Sequence, residues 1–374
     1  MDQPLVIAGA GIAGLALAAG LQRTETATPY LLLEERPELG SSGGAITLWP
    51  NAIAALDEIG VGDDVRRAGH AVGAGTIATS SGRVVRTLDI ERSAVALGGP
   101  LVAIRRSDLV GILHAQIKPG SVRLGTAFHG YEHDDGGVRV VADGMAVEAS
   151  ALVGADGYRS VVARTLHPGL PERYAGYPAW RGIADADGLE PVQLWGSQQE
   201  FGVVPLGRGA TYWYGTVHEP ADGVADDELE HVRAAFAGWP DPVRQVLVAT
   251  GPAAVTRNDV MDRDLPRRWS DGPVVVIGDA AHAMRPHLGQ GGCQALVDAA
   301  VLARLLAQAD DPAVAFGEFE KLRRGAVKRV VALSRAAGRA INAPVPLHRL
   351  SRFLPDRLML RSLAKVAGTS AYPW

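Results

Sequence analysis

One cysteine, Cys293, stands in a chain of 374 residues. A lone thiol excludes a disulfide framework and a zinc site built on several thiolates, and it suits a reducing compartment. Basic charge is in no surplus: 37 basic against 41 acidic side chains leave a formal charge of −4, which gives no reason to expect a nucleic-acid partner. Long apolar runs are also missing. The uncharged stretch from Leu5 to Leu21 follows Asp2 instead of a basic leader and is cut by Gly9, Gly11, Gly14 and Gly20. It reads as neither a signal peptide nor a membrane span, so a soluble, cytoplasmic protein with no integral membrane segment is expected. No G-x-S-x-G precedes a helix, which excludes the nucleophile elbow of a hydrolase. His129 and His133 lie four apart with no third ligand, so no metal is expected. Internal repeats and low-complexity tracts are absent.

What the chain has is glycine, 45 residues of it, with no collagen period. An apolar strand at Leu5–Ala8, a glycine turn, a helix ending near Arg23 and a second strand at Tyr30–Leu33 make a βαβ unit, the mark of a parallel sheet. From Val138 to Val153 apolar positions alternate around an Asp143-Gly144 turn, as antiparallel strands require. Aromatics crowd the stretch from Tyr174 to Tyr214 between turn residues, which predicts a second β-sheet. Asp226 to Ala237 predicts an exposed helix. Parallel-strand character returns at Val274–Ile277, followed by a glycine-rich loop and a helix from Gly292 to Gln308. The length fits about two domains. The expected fold class is α/β: a Rossmann-like nucleotide-binding domain with an inserted antiparallel β-sheet domain. The boundaries expected are 1–73, 101–170 and 255–343 for the discontinuous first domain, 74–100 and 171–254 for the inserted sheet, and 344–374 for a C-terminal helical tail.

Two glycine clusters carry chemistry. Gly9-Ala10-Gly11-Ile12-Ala13-Gly14 joins a strand to a helix. Its first glycine permits a tight turn, its second lets backbone approach a pyrophosphate, and its third allows close helix–strand packing. The second strand ends in Glu34-Glu35-Arg36, and a carboxylate there suits a ribose hydroxyl. Glu35 is favoured because it directly precedes Arg36. The second cluster runs from Gly278-Asp279 through Pro286-His287-Leu288 to Gly289-Gln290-Gly291-Gly292. An aspartate after a buried strand can bind ribityl or ribose hydroxyls. The glycines beyond it expose backbone donors at a helix start.

With these two clusters and Ala155-Asp156-Gly157-Tyr158-Arg159-Ser160 between them, the chain resembles the single-component FAD-dependent aromatic monooxygenases of the p-hydroxybenzoate hydroxylase superfamily. Gly44 to Asn51 and Gly289 to Cys293 further resemble the salicylate, 3-hydroxybenzoate and urate hydroxylases. The resemblance implies FAD as cofactor, with NADH or NADPH and O2 as co-substrates, and a C4a-hydroperoxyflavin that hydroxylates or epoxidises a small aromatic or heteroaromatic substrate. It assigns Gly9, Gly11, Gly14 and Glu35 to the AMP half, and Arg36 and Gly44 to the cofactor site. Arg106, with Arg105 as fallback, contacts the cofactor chain. Asp279 takes the ribityl and phosphate region, and Pro286, Gly289, Gln290, Gly291 and Gly292 line the isoalloxazine. Asp156, a cofactor-site residue, and Arg159 are expected to tie the sheet to the cofactor domain and to assist nicotinamide binding. The chain departs from the pattern twice. Val297-Asp298-Ala299 stands where the family has Glu-Asp-Ala. Glu200-Phe201 stands where urate-oxidising relatives carry an arginine, which argues against urate.

The aromatic sheet is the expected substrate wall, with Tyr212 and Arg181 as substrate-positioning candidates. His282 and His287 fall in the cofactor loop, and Cys293 is expected to be packed and inert. With no second G-x-G-x-x-G, a separate nicotinamide domain is not expected. The basic tail 344–374 is expected to be a helix folded back on the cofactor domain. A monomer or homodimer is expected. The competing readings are a reductase or halogenase-like enzyme of the same fold, or a non-catalytic flavin-binding accessory protein. The halogenases' G-W-x-W-x-I-P segment is missing.

Overall fold

A computed structural model describes residues 3–24, 29–40, 44–134, 137–344 and 356–374. Two large sheets organise it. The first has six strands in the order Ser270–Asp271, Val274–Val276, Ala151–Gly154, Leu5–Ala8, Tyr30–Leu33 and Val122–Arg123. Its pairings are parallel except the 270–271 hairpin contact. Leu5, Val6, Ile7 and Ala8 are all buried, as a parallel strand covered on both faces must be. The helix Ile12–Arg23 is buried continuously from Ile12 to Leu21, which explains why its sequence lacks a polar face. It lies against the helix Gly291–Gln308 so closely that a Cβ on Gly20 would stand 2.8 Å from that of Ala303. Gly20, the last glycine to cut the N-terminal apolar run, thus serves packing. The run is one strand and one core helix, and no helix among the described residues is long and apolar enough to cross a membrane.

The second large sheet has seven strands in the order Thr256–Asp262, Arg173–Ala184, Ala210–Val217, Gln199–Gly207, Val192–Gly196, Ala74–Thr79 and Val84–Asp89. Its pairs are antiparallel except 74–79 against 192–196, which run parallel. Period-two alternation sorts its residues. Trp180, Phe201, Trp213 and Leu194 form one buried face with Leu229, Val232, Phe236 and Val246, from the helices Glu228–Ala235 and Val243–Val248 and the residue capping the first. Both indole N–H groups are satisfied: Trp180 donates to Glu228 at 2.6 Å and Trp213 to Thr250 at 2.8 Å. Fully burying side chains of this size contributes at least ~2 kcal/mol each. Arg181 pairs with Tyr214 and Ile183 with Tyr212 across one ladder, and Glu200 with Thr216 across the next. These residues share the opposite face.

Three sequence expectations needed adjustment. Ala151–Gly154 belongs to the parallel sheet. Only Phe128–Asp134, Gly137–Ala142 and Met145–Ala149 form the antiparallel meander. The inserted sheet carries one parallel junction. The predicted exposed helix is shorter, Glu228–Ala235, with Asp227 accepting from the N–H groups of Leu229 and Glu230 as its N-cap. A further small sheet joins Ala45–Leu48, Leu101–Arg105 and His70–Val72. The helix Pro312–Ile341 then braces the molecule, and the C-terminal helix Asp356–Ala367 folds back on it. The Val366 carbonyl accepts from Asn51 at 3.2 Å and Gln294 at 3.3 Å. Arg349 and Arg352, counted in the basic tail, lie outside the described residues.

Candidate active site

The glycine turn after Leu5–Ala8 is shaped by backbone. Gly9 has φ +99°, a region L side chains rarely adopt, and a Cβ there would lie 2.5 Å from the Ala155 carbonyl oxygen. A Cβ on Gly14 would lie 2.0 Å from the Gly9 carbonyl oxygen. Gly11 is different: no protein atom comes within 4 Å of a Cβ built on it. It caps the helix Ile12–Arg23 with no side-chain hydrogen bond and no acidic residue in the first turn. Open space therefore meets the positive end of a helix, which is the cradle an anionic pyrophosphate needs.

The acidic pair divides here. The strand ends at Leu33, and Glu34 turns back so that its carboxylate accepts the Ala10 N–H at 2.8 Å and the Arg36 N–H at 3.1 Å. Glu35 and Arg36 are exposed. The carboxylate touching the glycine turn is thus Glu34, one residue before the sequence choice. Sequence favoured Glu35 for its neighbour Arg36, but a strand alternates sides, and only the first residue past its end faces the turn.

Gly44 is buried, and its carbonyl accepts the Arg106 N–H at 3.0 Å. Arg106 begins the helix Arg106–His114 directly after the strand Leu101–Arg105. It is exposed and lies within electrostatic reach of groups from both large sheets. Desolvation by the surrounding protein pushes its pKa down, as do Arg181 and Arg36, while Asp279 and Tyr212 oppose the shift. Residues far apart in sequence therefore share one field: Arg36, Arg106, Arg181, Tyr212 and Asp279. Burial raises the Tyr212 pKa, and Arg181, hydrogen-bonded to it, and Arg106 pull it back. Arg181 also donates to Asn258 at 3.2 Å.

Asp279 is exposed at the start of the short helix Asp279–His282, after Gly278 at φ +60°. Pro286–Leu288 forms a single 3-10 turn closed by Gly289 at φ +61°. Gly291 and Gly292 open the helix Gly291–Gln308, and a Cβ on Gly291 would approach Asp279 Oδ1 at 3.8 Å. Gln290 turns the other way. Its Oε1 accepts from Asn51 at 3.1 Å and Gln294 at 2.9 Å, inside the protein. Its Nε2 is buried with no hydrogen-bond partner among the described residues. Asp156 spends one oxygen on the N–H groups of Val161 at 2.7 Å and Val162 at 3.3 Å, and burial raises its pKa. Its hydrogen bonds are local, and Arg159 is exposed over the Tyr158 ring. Cys293 is fully buried, and burial pushes its thiol up to about 12.

Sequence reasoning missed two buried networks. Asp298, in the Val297-Asp298-Ala299 departure, accepts from Gly278 N–H at 3.0 Å and Arg323 at 2.7 Å, and lies 2.6 Å from His282 Nε2. Burial alone would raise its pKa, but His282 and Arg323 outweigh that and hold it low. The second network joins Glu200 to His287 at 2.9 Å, His287 to Tyr177 at 2.7 Å, and Tyr214 to Glu200 at 3.1 Å. Its only sequence signal was the acid where urate-oxidising relatives carry an arginine. Among the described residues no group of three His, Cys, Asp or Glu is placed to hold a metal.

Comparisons with known proteins agree with this geometry. The family described as FAD binding domain matches residues 2–313. An aurachin C monooxygenase/isomerase from Stigmatella aurantiaca is 36% identical over 325 residues, covering 85% of this chain and 84% of that protein. A 3-amino-4-hydroxybenzoate 2-monooxygenase from Streptomyces cremeus is 35% identical over 337 residues, covering 86% and 83%. The crystal structure of Klebsiella pneumoniae HpxO complexed with FAD and uric acid superposes with a TM-score of 0.89 at 26% identity, covering 98% of this chain and 97% of that one. An open glycine cradle, an exposed aspartate and neighbouring arginines fit the FAD held in that crystal structure. The chain belongs to the FAD binding domain family and is an FAD-dependent monooxygenase.

Proposed function

We propose that the enzyme hydroxylates or epoxidises a small aromatic or heteroaromatic substrate bound between the cofactor loop and the Arg181–Tyr212 face of the seven-stranded sheet. The reaction consumes NADH or NADPH, one proton and O2, and yields oxygenated product, oxidised nicotinamide and water. The observation that carries this reading is that Arg106, Arg181, Tyr212 and Asp279, from separate parts of the chain, lie close enough to act on one another's charge.

In this reading Gly9, Gly11 and Gly14 hold the pyrophosphate and AMP half, and Glu34, in place of Glu35, takes the ribose. Arg36, Gly44 and Arg106 flank the cofactor chain. Asp279 takes the ribityl region, and the backbone of Pro286, Gly289, Gly291 and Gly292 faces the ring. Bound there, FAD supplies two-electron reduction and activation of O2. The protein orients the substrate and excludes water. Arg181 attracts an anionic or ionising substrate, and Tyr212 offers a hydroxyl that burial keeps protonated. Asp156 braces the strand–helix junction beside Gly9. In this reading the substrate domain comprises 74–100 and 171–254 together with the strand Thr256–Asp262, which completes its sheet beyond the boundary expected from sequence; 344–374 is the tail and the rest is cofactor domain. A cytoplasmic monomer or homodimer fits this reading. Urate is disfavoured because Glu200, buried and engaged, stands where urate-oxidising relatives carry an arginine.

The test is a purified protein screened with aromatic acids, phenols, quinolones and indoles. Expected are a yellow protein that releases FAD on heating, NAD(P)H oxidation stimulated by the right compound, and one 18O atom from O2 in the product. A halogenated or saturated product would favour the reductase or halogenase reading. FAD binding without stimulated turnover across the panel would favour the accessory protein.

A further inference from the structure

Glu200 is a carboxylate with 1% exposure at the junction of two structural units. Both its oxygens are engaged. Oε1 accepts from the Tyr214 hydroxyl at 3.1 Å and from the Gln193 amide, and Oε2 lies 2.9 Å from His287 Nδ1. His287 has no exposed side-chain surface, and its other ring nitrogen lies 2.7 Å from the Tyr177 hydroxyl. The ring is also pressed against the long helix: a Cβ on Gly338 would stand 2.5 Å from His287 Cδ2.

These contacts span a boundary. Glu200, Tyr214, Gln193 and Tyr177 belong to four strands of the substrate sheet, whereas His287 sits in the 3-10 turn Pro286–Leu288 of the cofactor loop. A second rivet lies two residues earlier, where Arg285 donates to Asp262 at 3.0 Å. The turn itself is short, and its one internal backbone bond runs from Gly289 N–H to the Pro286 carbonyl at 2.7 Å. Its position over the sheet is therefore set largely by side chains. A buried carboxylate with all its acceptors filled is a rigid anchor, and removing it strands the polar groups that face it.

We propose that Glu200 is a positioning residue. Acting through His287, it fixes the height of loop 286–292 over the substrate sheet, and with it the distance between the cofactor ring and a substrate on the Arg181–Tyr212 face. The proposal rests on the reading of that loop as ring-facing. Correct spacing keeps oxygen transfer coupled. When spacing is lost, NAD(P)H, a proton and O2 yield NAD(P)+ and hydrogen peroxide, and the substrate leaves unchanged. A displacement of 1 Å in such an arrangement can cost roughly 10²-fold.

The experiment compares Glu200→Ala, Glu200→Gln and Tyr177→Phe with the parent holoenzyme. Product and peroxide formed per NAD(P)H are measured, together with amide hydrogen exchange of residues 284–292 with and without FAD. Glu200→Gln keeps an acceptor and a donor of the same shape, and a change of His287 tautomer preserves both ring contacts. It should therefore keep coupling within about threefold. Glu200→Ala should lower the product-to-peroxide ratio by about tenfold or more and speed exchange in the loop even without FAD. Tyr177→Phe should fall between and keeps the test open if Glu200→Ala does not fold. Parent coupling and parent exchange in Glu200→Ala, or in Tyr177→Phe if it alone folds, would overturn the proposal. So would loss of product in Glu200→Gln with loop exchange unchanged, which would mean that charge and not position matters. A parent enzyme that forms no oxygenated product would instead defeat the functional reading, independently of any variant.

Discussion

Removing the charge of Asp298 should unfasten the cofactor loop from the core. The carboxylate is wholly buried and faces Arg323, whose side chain is 1% exposed. It also lies 2.6 Å from His282 Nε2 and accepts the Gly278 N–H. In Asp298→Asn the shape is kept, but Arg323 is left with no other carboxylate among its hydrogen-bond partners, the remaining one being the Gln294 carbonyl. Breaking a buried pair from one side costs about 3–5 kcal/mol, against about 0–1 for an exposed pair. Equilibrium urea unfolding of the FAD-free protein should show a loss near ~3 kcal/mol, because the amide still accepts one hydrogen bond. FAD affinity should fall as well, since Gly278 directly precedes Asp279. The pH dependence has a definite sign. The Asp298 pKa is held below its ordinary value, so its contribution is complete above the unfolded carboxylate pKa of about 3.9 and disappears as pH falls through the lower folded value. The gap between parent and variant should therefore narrow in acid. A loss under about 1 kcal/mol at neutral pH, or a gap that widens in acid, would refute the argument that this triad is a net anchor.

Three other outcomes follow from the geometry. Gly11→Ala meets no protein atom and should leave the FAD-free protein as stable as the parent while weakening FAD binding at least tenfold. Gly14→Ala drives a Cβ into the Gly9 carbonyl and should cost about 1–3 kcal/mol without any ligand; calorimetry and flavin titration of the pair separate the two effects. Cys293 should resist thiol reagents in the folded protein at pH 8 and react in full after denaturation, because burial holds the thiol neutral; rapid labelling of the native protein would contradict the packing. Arg181→Met should raise KM for anionic substrates about tenfold, the effect of one charge-assisted contact, with kcat and the KM of neutral analogues little changed; an equal rise for both classes would remove Arg181 from substrate contact.

The sequence by itself determined the parallel βαβ start, the aromatic sheet and both glycine clusters. Each depends on local chemistry: a continuous apolar strand, a turn only glycine can make, and an alternation of period two. Local chemistry also told that Asp279 follows a buried strand. Tertiary structure decided the rest. Which acid touches the glycine turn depended on where the second strand ends, and Glu34 won over Glu35 by one residue. The same alternation that marked the aromatic stretch as strand could not say which face helices cover. Packing of Trp180 and Trp213 on two helices left the opposite face to Arg181, Tyr212 and Glu200. Asp298 with Arg323, and Glu200 with His287, are separated by 25 and 87 residues. A buried charge is tolerable only beside its partner, and partners this distant in sequence meet only once the sheets are in place.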